Sequence, residues 1–444
     1  MNDFVDQSVL LVSSIRWPVI AKLSIAFLRS GCKVQVVCPP DHPFAFVSGL
    51  SKIYPYRGLD SLGSLYEAIT AAEPDFVIPC DDGVVWQLHE LHRTKPELRA
   101  LIERSLGAPS SYKTVAGRAE LMQVASELNI RAPQTKKIAT AADLREWFSV
   151  PGASGVLKLD WTCGGKGVRV VRSLAEAEEA LGAMRQPANV MAVLGRWLLI
   201  HDALAIWKWR NQGQPSLTLQ QFVAGRPANT MLACDKGKVL AMVTVEVLCA
   251  QSSTGTSLVV RQIENDEIRT AAELIAERLQ LSGFHGLDFM IEDRTGYAYL
   301  IELNPRCTQL GHLQIPIQGD LVGVFCRAFS NTRSPRNERP ICQETIAFFP
   351  EALLSNPKCP YLETSYIDVP WEEPRLVVEL MRGDWRDRGL LARLYRAMRP
   401  PKQTAVAFDA MAALEAQMVE AHEVAPQHDW RAERTMARTT DRSI

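Results

Sequence analysis

The chain of 444 residues has almost no net charge, no paired-cysteine motif and no long apolar run free of charged residues. Its 49 basic and 50 acidic residues leave a formal net charge of −1, so no global field draws it to nucleic acid or to an anionic membrane. Ten cysteines are present, yet none stands in a C-x-x-C pair, and several sit inside apolar runs such as VQVVCPP and VEVLCA. That usage fits buried reduced thiols in a cytoplasmic protein better than a disulfide framework or structural zinc. The apolar stretch Val190 to Trp209 is broken by Arg196, His201 and Asp202, each of which is costly in a bilayer. It reads as an amphipathic helix packed on the protein, without stable membrane insertion. MNDFVDQSVLLVSS lacks a basic n-region and reads as a first strand instead of a signal peptide. What is present is ordinary globular composition, 47% hydrophobic and 22% charged, over a length that allows about three domains.

Residues 8–38 read as strand, helix and strand: SVLLVSS, then IAKLSIAFLRSG with Gly31 as the helix stop, then KVQVVCP. KIYP, a helix near 59–72, DFVIPCDD and a helix through VVWQLHELH repeat the pattern. Alternating βα units argue for a parallel sheet with helices on its faces, ending near residue 107. The unit resembles a Rossmann-like domain. Its first turn, however, is SSIRWP, without G-x-G-x-x-G, so close pyrophosphate approach and dinucleotide chemistry are disfavoured. Downstream, GVLKLDWTCGGKGVRVV reads as strand, glycine loop and strand, and SLAEAEEAL as a helix capped by Ser173. Strands dominate from LTLQQFVAG through KVLAMVTVEVLCA, and a helix over 266–281 follows. NTRSPRNERP reads as a polar linker, and the last fifteen residues as a disordered tail.

Three constellations carry candidate chemistry. GLDFMIEDRTGYAYLIELNPR reads as a hairpin turning near Thr295, which sets Asp288 opposite Glu302 and puts Asn304 on the same face. Opposed carboxylates repel unless a cation joins them, and an all-oxygen set suits Mg²⁺ with phosphate oxygens; the plain alternative is a solvated edge pair. The loop KLDWTCGGKG fails the P-loop pattern, but its glycines allow close phosphate approach, and Lys158 ends an apolar strand where an ammonium wants an anion. A flexible hairpin loop would also carry those glycines. Lys113, in SSYKTVAGRAEL, reads by itself as a solvated lysine.

In that order, Lys113, Lys158 with its glycine hairpin, LQQFVAG, Asp288, and E-L-N-P-R after D-F-M-I, the set resembles the ATP-grasp superfamily over roughly residues 109–315. The resemblance implies an α/β and α+β chain: a Rossmann-like N-terminal domain (1–108), a two-subdomain ATP-grasp fold (109–333) with a helical insertion at about 184–214, and a C-terminal accessory region (334–444). It implies ATP bound between the subdomains, with Lys113 and Lys158 on phosphates and Gly164, Gly165 and Gly167 as the lid. Asp288, Glu302 and Asn304 would hold two Mg²⁺ ions, Mn²⁺ being an alternative, and Arg306 would meet an acyl phosphate or a substrate carboxylate. Arg261, on the strand SLVVRQI, is a further candidate for the transferring phosphoryl group. The hinge reads Gln220-Gln221-Phe222-Val223 in place of acidic residues, leaving backbone groups and a Gln amide for adenine. The implied activity is ATP-dependent ligation of small-molecule carboxylate and amine substrates through an acyl phosphate. Bicarbonate activation, hydroxyl phosphorylation or a non-catalytic nucleotide-binding scaffold are the alternatives, and homo-oligomerisation is left open.

Overall fold

A computed structural model describes residues 7–160, 167–185, 216–251, 255–315, 319–329, 341 and 343–382. All but the first two residues of the insertion expected at about 184–214, the linker at 331–340 and the last fifteen residues lie outside the described residues.

The N-terminal unit is a four-stranded parallel sheet in the order β3-β2-β1-β4, built from β1 (Ser8–Val12), β2 (Lys33–Cys38), β3 (Lys52–Pro55) and β4 (Phe76–Pro79). Helices α1 (Ile20–Arg29), α2 (Ser61–Ala72), α3 (Asp82–Thr94) and α4 (Arg99–Leu106) accompany it. The βα alternation seen in the sequence is the reason: Leu10, Val12, Leu65, Ile69, Leu88 and Ile102 fill one buried cluster, and Val9, Leu11, Ala26 and Phe27 fill part of another. Gly31 closes α1 at φ 81°, a conformation suited to glycine. The first turn carries no glycines. Asp81 braces it, accepting from the Ser14 backbone N–H at 2.6 Å and from the Ser14 and Ser13 hydroxyls at 2.7 and 3.1 Å.

Helices α5 (Tyr112–Ala116) and α6 (Arg118–Glu127) lead into a four-stranded antiparallel sheet, order β5-β8-β6-β7. Its strands are β5 (Thr135–Lys137), β6 (Gly155–Leu159), β7 (Val168–Val171) and β8 (Leu217–Gln221), with α7 (Ala141–Trp147) and α8 (Leu174–Met184) against it. Ser173 caps α8 as expected, accepting from the Glu176 backbone N–H.

A seven-stranded sheet forms the rest, in the order β13-β12-β9-β10-β11-β16-β17. It comprises β9 (Gly225–Asp235), β10 (Lys238–Ala250), β11 (Ser257–Gln262), β12 (Gly283–Glu292), β13 (Ala298–Asn304), β16 (Thr345–Ala347) and β17 (Tyr366–Ile367), while β14 (Gln314–Ile315) and β15 (Gly319–Asp320) make a small ribbon. The helix α9 (Asp266–Leu279) covers one face with α6; the other face packs on α1 and α10 (Leu321–Phe329). The eight cysteines among the described residues are free thiols, seven of them buried. Among the described residues no helix is long and apolar enough to cross a membrane.

Candidate active site

The hairpin β12–β13 pairs Asp288 with Glu302, Leu287 with Leu303 and Gly286 with Asn304. On the turn side the partner of Phe289 is Leu300, so Ile301 is an extra residue, a β-bulge. The bulge resolves a conflict in the strand. A plain two-residue period would put Leu300 on the face of Glu302, yet Leu300 is wholly buried in the core beside Phe289. With Ile301 bulged out, Glu302 and Asn304 turn to the side of Asp288 while Leu300 and Leu303 stay in the core.

Asp288 is held by two carboxamides. Asn304 Nδ2 donates to it at 3.0 Å, and Asn229 Nδ2, from the directly opposed position on β9, at 2.7 Å. Burial, together with the negative charge of Glu302, pushes the Asp288 carboxyl up to about 6. Glu302 accepts from Arg118 Nη2 at 2.5 Å, and Arg118 Nη1 donates to Asp160 Oδ1 at 2.8 Å. Arg118 thereby ties the root of the glycine loop, at the end of β6, to the hairpin of the large sheet. Among the described residues its Nε is buried without a partner, an N–H donor left for an acceptor.

Lys158, on β6, is buried, and its ammonium donates to Gln220 Oε1 at 2.7 Å. Burial, opposed by the charge of Glu302 and aided by the nearby Arg118, lowers the Lys158 pKa to about 8. Trp86, Gly117, Arg118, Asp160, Glu302 and Asn304 line one cleft, together with Asp82 from the start of α3. Residues of the N-terminal unit, the small sheet and the large sheet thus meet in one place.

Several expected site residues sit differently. The Gln220 side chain does not face outward: it is buried and spends its amide on Lys158 and on Thr135 Oγ1, at 3.2 Å. Gln221 and Phe222 are exposed, and Val223 is half-buried. Arg261 is paired with Glu246, which Arg226 also grips at 2.9 Å. The register runs Asp288, Asn229, Val245, Gln262 across the sheet, so Arg261, one residue along, points to the opposite face from Asp288. Lys113 is exposed on α5, near enough to Glu120 to help lower its pKa, while Arg118 supplies the cation in the cleft. Arg306 Nε pairs with Asp82 Oδ1 at 3.1 Å, and its guanidinium lies 5.2 Å from the Trp17 ring centre. Gly164 and Gly165 lie outside the described residues; Gly167 closes the β6–β7 connection, its carbonyl accepting from the Leu159 N–H at 2.8 Å.

Arg118, Asp160, Asn229 and Asp82 were not singled out from the sequence. For Arg118 a signal exists: Arg118, Leu121, Met122 and Ala125 keep the i, i+3, i+4, i+7 spacing of a buried helix face, and a cation there needs an anion.

Among the described residues no three His, Cys, Asp or Glu side chains gather as a metal cluster. The donors here are two carboxylates and two carboxamides, all oxygen ligands once the amides turn, and that set fits a hard divalent cation. The unpartnered Arg118 N–H beside Lys158 fits an anion such as phosphate.

Residues 203–309 match a family model described as an ATP-grasp domain. No protein with a curated description matches the sequence. Similar solved structures include a biotin carboxylase from Campylobacter jejuni bound to an ATP species, with 14% identity, TM-score 0.51, and 74% of this chain against 72% of that one covered. An ADP complex of N5-carboxyaminoimidazole ribonucleotide synthetase shows 15% identity and TM-score 0.51 over 74% of this chain and 79% of that one. The N5-carboxyaminoimidazole synthase of Aspergillus clavatus, bound to ADP and 5-aminoimidazole ribonucleotide, shows 15% identity and TM-score 0.52 over the same shares. The chain carries an ATP-grasp domain and has the fold of the ATP-grasp superfamily.

Proposed function

We propose that the chain is an ATP- and Mg²⁺-dependent carboxylate–amine ligase, forming an amide through an acyl phosphate. One observation carries the proposal: Glu302, opposed to Asp288, is bonded to the buried Arg118, which has an N–H without a partner among the described residues, and both carboxylates act on the charge of the buried Lys158. Phosphoryl transfer needs mainly positioning and neutralised charge, and this cleft supplies both. In the proposal Lys158 and Arg118 bind nucleotide phosphates, the glycine loop closes over them, and the backbone of Gln221 to Val223 meets the adenine. Asp288, Glu302, Asn304 and Asn229 would hold Mg²⁺, which when bound neutralises phosphate charge. Arg306 orients the substrate carboxylate. A carboxylate oxygen attacks the γ-phosphorus and ADP leaves; the amine nitrogen then attacks the acyl carbon, losing a proton as phosphate departs. The domain limits near 108 and 333 belong to the same proposal.

Bicarbonate as the activated carboxylate is a second reading, favoured by the biotin carboxylase and carboxyaminoimidazole synthetase among the fold neighbours. ADP and phosphate release, measured against pooled carboxylates or bicarbonate, with and without pooled amines, separates the two. Amine-stimulated release with organic carboxylates supports the ligase, and release with bicarbonate alone supports the second reading. Phosphorylation of an alcohol without any carboxylate would sink both. Glu302→Gln is expected to abolish release with the circular dichroism spectrum unchanged.

A further inference from the structure

Cys32 and Cys326 stand 294 positions apart in the chain, yet their sulfurs meet at 3.2 Å. Each is held there by its surroundings. Cys32 follows Gly31 in the turn that closes α1, and its N–H donates to the Phe27 carbonyl at 3.1 Å. Cys326 lies on α10 beside Phe325, whose ring packs 4.9 Å from Phe76 of the parallel sheet and 4.8 Å from Phe284 of the large sheet. The thiol contact therefore joins the N-terminal unit to the helix wedged between it and the large sheet. It lies just before β2, at the amino edge of the parallel sheet, whereas Asp82 and the cleft lie past the carboxyl end of β4.

We propose that Cys32 and Cys326 are a modification site for hydroperoxides, at which oxidation adds a reversible covalent clip between the N-terminal unit and α10. The two sulfurs differ in access. Cys32 is 7% exposed and is flanked by the exposed Gly31 and Lys33, while Cys326 is 1% exposed. A molecule as small as hydrogen peroxide therefore meets Cys32 first. The Cys32 sulfur attacks one peroxide oxygen, the O–O bond breaks, and the other oxygen leaves as water with the thiol proton, giving a sulfenic acid. Cys326 then attacks the Cys32 sulfur, the S–O bond breaks, and a second water departs with the Cys326 proton. Two thiols and one hydrogen peroxide thus give one disulfide and two waters, the sulfurs being oxidised and the peroxide oxygens reduced. The contact with Cys32, together with burial, pushes the Cys326 thiol up, so it keeps its proton and suits the resolving step. About 1 Å of approach separates the contact from a bond. A link across 294 positions restricts the unfolded chain far more than the folded one, so it stabilises the fold.

The test exposes the reduced protein to hydrogen peroxide and reads intact mass, peptide map and melting temperature. The expected product is lighter by two hydrogens, with the peptides of Cys32 and Cys326 joined. Its melting temperature is expected to rise by about 5 °C or more, and dithiothreitol is expected to reverse both changes. Cys32→Ala should abolish the link and the rise. Cys326→Ala should stop the reaction at a sulfenic acid on Cys32, trapped by dimedone, which a merely structural contact would not give. The wild-type readings stand without either variant. Cys359 also hydrogen-bonds the half-buried Cys249, so the peptide map must place the link. An unchanged mass, a link at Cys249 and Cys359 alone, over-oxidation of Cys32 with no link, or a link that leaves the melting temperature unchanged overturns the inference.

Discussion

At the scale of single residues, the candidate site is made of charges that are each awkward alone. Lys158 has little exposure, Asp288 is pressed by Glu302, and Arg118 has more donors than acceptors. Lys158 gives a direct pH prediction. Its folded pKa of about 8 lies below the unfolded 10.5, so the folded chain binds fewer protons between those values. Stability therefore carries the full penalty below about 8 and rises as pH climbs from about 8 towards 10.5. Nucleotide affinity runs the other way, because phosphate wants the ammonium. Above pH 8 the Kd for a fluorescent ATP analogue is expected to weaken by up to about tenfold per pH unit. Lys158→Met should flatten that profile, and a flat wild-type profile would remove Lys158 from the phosphate site. The aptness of Lys158 and Glu302 for charge chemistry was legible because each breaks an apolar run. That Gln220 is the one turned inward was not legible, because nothing in LQQFVAG says which of two adjacent glutamines does so.

At the scale of elements, the βα repeats, the glycine hairpin and the acidic hairpin follow from local pattern, since periodicity reports directly on which face is buried. The bulge at Ile301 did not. One residue's slip in a strand is decided by whether Leu300 or Glu302 enters the core, and only the packed sheet poses that choice. The junction of α4 with β12 is a second such point. Gly283 has φ 77°, and a Cβ there would run into the backbone oxygen of Ser105. Gly31 has φ 81° with open space around it. Gly283→Ala is therefore expected to cost about 1–3 kcal/mol more than Gly31→Ala in denaturant unfolding. Equal losses would mean that backbone conformation alone, and no close approach, governs position 283.

At the scale of the whole molecule, the N-terminal unit is joined to the far end of the large sheet by a buried ion pair. Lys22, on α1, donates to Asp368 Oδ2 at 2.6 Å, and His312 meets the same oxygen at 2.8 Å. Burial pushes the Asp368 carboxyl upward, but Lys22 and His312 overcome it and hold the group below its ordinary 3.8. That contribution is present above about 3.8 and is lost as pH falls through the folded value. Lys22→Met leaves a buried carboxylate short of its cation and is expected to cost about 3–5 kcal/mol in urea unfolding. Adding Asp368→Asn should recover part of that loss. No recovery would show that the two side chains stabilise the fold independently.

The sequence by itself determined the parallel N-terminal unit, the glycine hairpin and the pairing of the Asp288 strand with the Glu302 strand, while the bulge at Ile301 that sets those two carboxylates opposite each other was decided by the packed sheet. Each of the first three depends on neighbours close along the chain and on a period of two or 3.6 residues. Tertiary structure alone decided that Arg118, not Lys113, enters the cleft, that Arg261 turns to the other face, and that Asp82 meets Arg306 across 224 positions of chain. Those outcomes rest on which surfaces pack together. A charge is placed by the partner that meets it, and that partner lies on another element.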